Sequence, residues 1–230
     1  MEQFTELQKK LHITFNNPAL LMQAFVHRSY LNEHRHTDIA HNERLEFLGD
    51  AVLELVVTEF LYKQFPDSPE GELTSYRSAL VNTQSLAETS VVLGFDAYLL
   101  LSKGEAKDQG RARQNILANT FESFVGALYL DQDYAAAQKF ISECLFDKLA
   151  GIIKSQSHKD AKSLVQEKSQ EVYRVTPTYK VTSETGPDHD KAFVVAIHFG
   201  AKMAGEGKGK NKQEAEQEAA KSALKAEGWA

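Results

Sequence analysis

Reactive sulfur is almost missing from this 230-residue chain, which holds a single cysteine, Cys144. One thiol cannot build an internal disulfide framework, so the expected setting is a reducing cytoplasm. With one cysteine, and with His27, His34, His36 and His41 in no paired spacing, the residues argue against a zinc site. Long apolar runs are lacking too. No stretch is long enough to span a bilayer, and Met1–Glu6 carries neither a charged leader nor an apolar run, so no membrane partner is expected. There is no internal repeat and no low-complexity tract. Positive charge is also short: 26 Lys+Arg against 32 Asp+Glu give −6, which on net charge alone is unpromising for a nucleic-acid binder.

What is present begins with acids in an unusual place. Glu43-Arg44-Leu45-Glu46-Phe47-Leu48-Gly49-Asp50-Ala51 sets three carboxylates into an apolar run that continues through Val57. At about 100° per residue, Glu43, Glu46 and Asp50 fall within about 60° of one another. Leu45, Leu48, Val52, Leu55 and Val56 take the opposite side, which predicts a helix with a core face and an acid face. No Lys or Arg stands four residues from these acids on their stripe, so a cation is expected to come to them. Asn42 is a suitable N-cap that would put Glu43 in the first turn, and His27 and His41 suit hydrogen bonds at helix ends. A second apolar helix, Ile116–Tyr129, carries Asn119 and Glu122 three residues apart. Packed together, the two stripes would converge oxygen ligands suited to a hard cation, Mg²⁺ first and Mn²⁺ second. Phosphoryl transfer is the chemistry that follows, with no organic cofactor.

Periodicity divides the chain. Apolar residues recur at helical spacing through 18–31, 43–65, 72–93, 113–130 and 134–153, with Pro18 at a helix start, Pro66 and Pro69 as breaks, and Gly94 and Gly151 as stops. Residues 154–159 hold no apolar side chain and read as a flexible linker. Beyond it the spacing predicts a helix over 160–173, strands over 177–183, 192–199 and 201–206, and a helix over 211–226. Charge follows the same division. Residues 158–230 hold 12 basic and 11 acidic residues, while the remaining 14 and 21 leave residues 1–157 at −7.

Residues 43–51, preceded by His41-Asn42, resemble the signature of the ribonuclease III family. Residues 116–129 resemble its second acidic motif, and Phe25–Tyr30 and Glu70–Thr74 match further motifs in order. Residues 160–229, read as α-β-β-β-α, resemble the double-stranded RNA-binding domain. The fold expected is therefore an all-α endonuclease and dimerisation domain over 1–153, the linker over 154–159, and a small α+β RNA-binding domain over 160–229.

The resemblance implies a Mg²⁺-dependent endoribonuclease that hydrolyses double-stranded RNA to 5′-phosphate and 3′-hydroxyl ends, in rRNA and mRNA processing. It implies metal held by Glu46, Asp50, Asn119 and Glu122, with Asp50 and Glu122 catalytic and Glu43 and Glu70 at the rim of the cleft. For RNA it implies Gln166 and Glu167 on a helix, Gly186–His189 in a loop, and Lys208, Lys210 and Lys212 in a glycine-lysine run at a helix N-terminus, where glycines permit close approach and lysines meet phosphates. The family usually has two adjacent lysines where this chain has Lys212-Gln213. It also implies a two-fold homodimer in which Phe47, about 40° from Glu43 on the wheel, packs into the partner. The larger departure is Asn119, where the family most often has Asp. A working natural variant, a variant with a changed metal requirement, and an introduced substitution that slows the enzyme all fit. Because Glu46, Asp50 and Glu122 remain, an active enzyme is favoured. The alternative is a non-cleaving double-stranded RNA-binding regulator whose nuclease domain serves as a dimerisation scaffold.

Overall fold

A computed structural model of the chain describes residues 2–34, 39–108, 110–155, 161–187 and 191–229. It separates into two compact units, Met1–His158 and Lys159–Ala230. Asp188, His189 and residues 156–159 of the expected linker lie outside the described residues, whereas Lys154 and Ser155 end a helix.

Unit one is all helical: α1 Glu2–Leu11, α2 Pro18–Ala24, α3 Arg28–Glu33, α4 Glu43–Gln64, α5 Glu70–Val81, α6 Thr83–Leu93, α7 Arg111–Asp131, α8 Tyr134–Leu145 and α9 Lys148–Ser155. Helix α7 is its spine. Eleven α7 residues between Ile116 and Leu128 are buried, and rings of Phe25, Phe95, Phe124 and Phe140 meet at centroid distances near 5 Å along it. Such rings contribute area burial plus about 1 kcal/mol per pair from their geometry.

Three of the expected long helices are broken. Residues 18–31 divide because Phe25 O accepts from Leu100 N at 2.9 Å and His27 N donates to Leu100 O at 3.1 Å, a strand-like bridge that forces extended backbone before His27 caps α3. The 72–93 segment divides at Asn82, whose ψ of 160° ends α5 and whose side chain accepts from Ser85 N to start α6. The 134–153 segment divides after Leu145, and Gly151, expected as a stop, lies inside α9. Gly94 does end α6, at φ 78°.

Helix α4 departs from expectation at two further points. Asn42 occupies its N-cap position, but the side chain caps nothing there; it is buried and its Nδ2 donates to Ala24 O at 3.2 Å. Its backbone N–H donates to Val26 O at 2.9 Å, so Asn42 fastens the start of α4 to the break between α2 and α3. Leu55, expected in the core, is 57% exposed, on the same outer side as Phe47 and Tyr62.

Unit two is α10 Ala161–Tyr173, β1 Thr178–Thr185, β2 Ala192–Phe199, β3 Lys202–Gly209 and α11 Lys212–Ala226, with an antiparallel sheet in the order β1-β2-β3. This is the α-β-β-β-α order expected from the sequence. The third strand runs three residues further than expected, so Gly207, Lys208 and Gly209 belong to a strand rather than to a loop. Phe193, Val195, Ile197 and Phe199 alternate inward against Leu164, Val165 and the alanines of α11.

Candidate functional site

Helices α4 and α7 cross backbone to backbone. A Cβ added at Gly49 would stand 1.7 Å from Glu122 O, and one added at Gly126 would stand 2.2 Å from Leu45 O. Only glycine at both positions lets the axes approach this closely. The crossing brings Glu46 and Asp50 of α4 beside Asn119 and Glu122 of α7.

The electrostatics show what that costs. The Glu122 carboxyl is pushed up to about 8, chiefly by burial and then by the charges of Asp50, Glu46 and Glu54. Glu46 is also raised, first by burial and then by Glu43, against a lowering hydrogen bond donated by the Asn119 amide. No Lys or Arg pairs with Glu46, Asp50 or Glu122 among the described residues; the stripe's cations sit at its ends. Arg28 Nη1 lies 3.4 Å from Glu43 Oε1, with His41 Nδ1 3.7 Å from Glu43 Oε2, and Arg77 Nε lies 2.9 Å from Glu54 Oε2. Burial lowers the His27 imidazole below its usual value, against the raising charges of Glu105 and Glu43. Its Nδ1 meets Ser29 Oγ at 2.8 Å and accepts from Ser29 N.

The donors that converge are carboxylate and amide oxygens, which suits a hard divalent cation and no soft one. Among the described residues no group of three His, Cys, Asp or Glu side chains is already closed around a metal position. Glu70, at the start of α5, is exposed and accepts from Thr74 Oγ1 at 3.0 Å. Glu54 and Arg77 were missed from sequence. Glu54 falls about 20° from Glu43 on the wheel, so the signal was there, but Arg77 lies on another helix and had none.

In unit two, Gln166 and Glu167 are exposed on α10, and Lys208, Lys210 and Lys212 are exposed around the start of α11. Asn211 caps α11 by accepting from Glu214 N at 2.8 Å, while Glu214 Oε2 accepts from Lys210 N at 2.8 Å. The glycines beside the lysines serve packing. A Cβ at Gly207 would stand 2.0 Å from Ala219 N, and one at Gly209 would stand 2.4 Å from Ala215 N, so they admit α11 to the sheet rather than a ligand to the backbone. Lys208 lines an open hollow with Lys221, Ser222 and Lys225 on one flank of α11, whereas Lys212 Nζ sits 5.8 Å from the Phe193 ring centroid.

Comparison with known proteins agrees with this division. A family model described as Ribonuclease-III-like matches residues 17–149, and one described as Double-stranded RNA binding motif matches residues 161–226. A protein of Enterococcus faecalis named Ribonuclease 3 is 47% identical over 222 residues, covering 96% of each chain. One of the same name from Borreliella afzelii is 45% identical over 226 residues, covering 97% of this chain and 91% of its own. Among solved structures, the ribonuclease III nuclease domain of Campylobacter jejuni, described for flexibility in a region involved in dimer formation, matches with TM-score 0.54 and 34% identity, over 60% of this chain and 95% of that one.

Proposed function

The chain belongs to the ribonuclease III family, and from that premise we propose that its double-strand-specific endoribonuclease activity runs on Mg²⁺ at the crossing of α4 and α7. The family requires a divalent metal. Mg²⁺ is our choice because every donor at the crossing is a hard oxygen, and Mn²⁺ would substitute. The observation that carries the reading is the glycine crossing itself, which sets Glu46, Asp50 and Glu122 together with no Lys or Arg paired to them among the described residues and so lifts the Glu122 carboxyl to about 8. A divalent cation there would relieve that repulsion.

Glu46, Asp50, Asn119 and Glu122 would hold the metal. When bound, it supplies a nucleophilic water at neutral pH and charge stabilisation for in-line attack on the phosphodiester, leaving 5′-phosphate and 3′-hydroxyl ends. The chain's own residues do the rest. The Gly49–Gly126 contact fixes the separation of the acids and the Asn119 amide donates to Glu46, while Glu43 and Glu70, both exposed, would stand at the rim beside Asp50. Gln166, Glu167, Lys210, Lys212 and His189 would contact duplex RNA through 2′-hydroxyls and phosphates, while Lys208, expected among them from the sequence, would add only long-range charge from β3. The non-cleaving regulator is not favoured, since relatives named Ribonuclease 3 match nearly end to end. No helix among the described residues is long and apolar enough to cross a membrane.

We read the protein as a homodimer as well. Phe47, Leu55 and Tyr62 are 82%, 57% and 73% exposed along one outer side of α4, an apolar stripe that a second copy would cover. Phe47→Asp should yield monomers by sedimentation, and a Phe47→Asp protein that stays dimeric would move the interface elsewhere. For the metal reading, the test is Glu122→Gln, which keeps shape and removes charge. Cleavage should fall by roughly a thousandfold or more while duplex RNA still binds. Cleavage near the wild-type rate would remove Glu122 from the site.

A further inference from the structure

One charged pair beside the acid cluster has no place in the reading above. Glu54 lies one helical turn beyond Asp50 on α4, with its carboxylate on the stripe of the site acids. Arg77, from the middle of α5, reaches across to it: Nε stands 2.9 Å from Glu54 Oε2, and Nη1 donates to Thr58 Oγ1 at 2.9 Å. Both side chains are about one-third exposed, at 33% for Arg77 and 38% for Glu54. The guanidinium is thus held by two α4 partners in one geometry, unlike Arg28 at the other end of the stripe, which is 70% exposed and 3.4 Å from Glu43. The charge of Glu54 also reaches Glu122, where it adds to the repulsion that Asp50 and Glu46 produce.

We propose that the Arg77–Glu54 pair sets the cation affinity of the acid cluster, Arg77 acting as a positioning residue that offsets part of the Glu54 charge while fixing α5 on α4. This rests on the metal reading of Glu46, Asp50, Asn119 and Glu122. The physical argument is one of sign. A full carboxylate one turn from Asp50 would draw a divalent cation more tightly, and a full guanidinium there would repel it. Paired at 2.9 Å, the guanidinium offsets part of the carboxylate's field at the site, so each partner shifts the cation affinity of the cluster in its own direction. A role confined to holding two helices together predicts no such sign, because any loosening of α5 weakens the site whichever partner is removed.

The test measures Mn²⁺ binding to the full-length protein without RNA, by the electron paramagnetic resonance of free Mn²⁺. Arg77→Gln keeps a donor for Thr58 and removes the charge; it should tighten binding about threefold or more. Glu54→Gln should weaken it by a similar factor, and the double variant should return close to wild type. Circular dichroism checks that each variant is folded. Changes of the same sign in both single variants, or no change in either, would overturn the proposal. Glu122→Gln serves as the control for the underlying site. If it abolishes binding while the two single variants fail to move in opposite directions, the proposal alone fails. If Mn²⁺ binding survives Glu122→Gln unchanged, the cluster is not the metal site and the proposal falls with it.

Discussion

Both units of this enzyme press backbone against backbone at glycine, and they use the contact for opposite ends. In the nuclease unit, Gly49 and Gly126 face each other across two helices and pull Glu46, Asp50 and Glu122 together until burial and like charge lift Glu122 to about 8. In the RNA-binding unit, Gly205, Gly207 and Gly209 take every second place on β3 against Ala215, Ala219 and Ala223 of α11, and the charged side chains between and beyond them stay solvated. The first contact concentrates charge that a proton or a metal ion would relieve. The second spreads lysines over a surface that any polyanion can meet.

The largest effect should come from breaking either contact. Gly49→Ala drives a methyl into the Glu122 carbonyl and should cost about 4 kcal/mol or more, since neither helix can shift without exposing the phenylalanine core. Calorimetry should show the nuclease transition lost or strongly lowered while duplex RNA binding persists. Gly207→Ala should do the converse, lowering RNA affinity and sparing Mn²⁺ binding. If either variant lost both functions equally, the two units would not be energetically separate.

A smaller effect sharpens the contrast in stored charge. The folded-state value of Glu122 is raised from 4.5 to about 8. The folded protein therefore binds that proton more tightly than the unfolded chain, its contribution is fully present below pH 4.5, and it is lost as pH rises towards 8. Metal-free protein should lose on the order of 3 kcal/mol across that window, read from denaturation midpoints at pH 5 and pH 8. Glu122→Gln should flatten the slope, and saturating Mg²⁺ should abolish it. Asn119→Asp should steepen it, because a carboxylate replaces the amide that now donates to Glu46, and should lower the Mg²⁺ midpoint for cleavage. An identical pH slope in wild type and Glu122→Gln would detach Glu122 from the acid cluster.

Much of this was legible in the chain itself. The acid stripe of α4, the Asn119–Glu122 pair and the change of period after residue 160 are local patterns, and local patterns survive folding. What could not be read depended on distant partners. The break at Phe25–His27 exists because Leu100 pairs with it, and Asn42 fails to cap because Ala24 O claims its amide. Leu55 satisfies the core periodicity of α4 yet points outward, because that helix has a second apolar side and a wheel has only one centre. Gly207 and Gly209, beyond the expected strand 201–206, look like a loop by composition. They form a strand because Ala215, Ala219 and Ala223 supply a helix face that fits only glycine opposite.

The smallest effect separates two lysines that sequence groups together. Lys210, Lys212 and Lys208 read as one phosphate-binding run, but Lys208 is on β3 and lines the hollow shared with Lys221, Ser222 and Lys225. Lys212 begins α11, where the helix N-terminus adds its partial positive charge to the ammonium group. Its ammonium rests near the Phe193 ring at 5.8 Å, which restrains the side chain and reduces the entropy lost on meeting a phosphate. Lys212→Ala should therefore weaken duplex RNA binding by about three- to fivefold for all sequences alike and lower the salt slope by about one. Lys208→Ala should change affinity less than twofold, a long-range charge effect only. Filter binding over a salt series would measure both. Equal losses would put Lys208 on the same phosphate track as Lys212, and the strand position of residues 207–209 would then have no bearing on how this domain meets RNA.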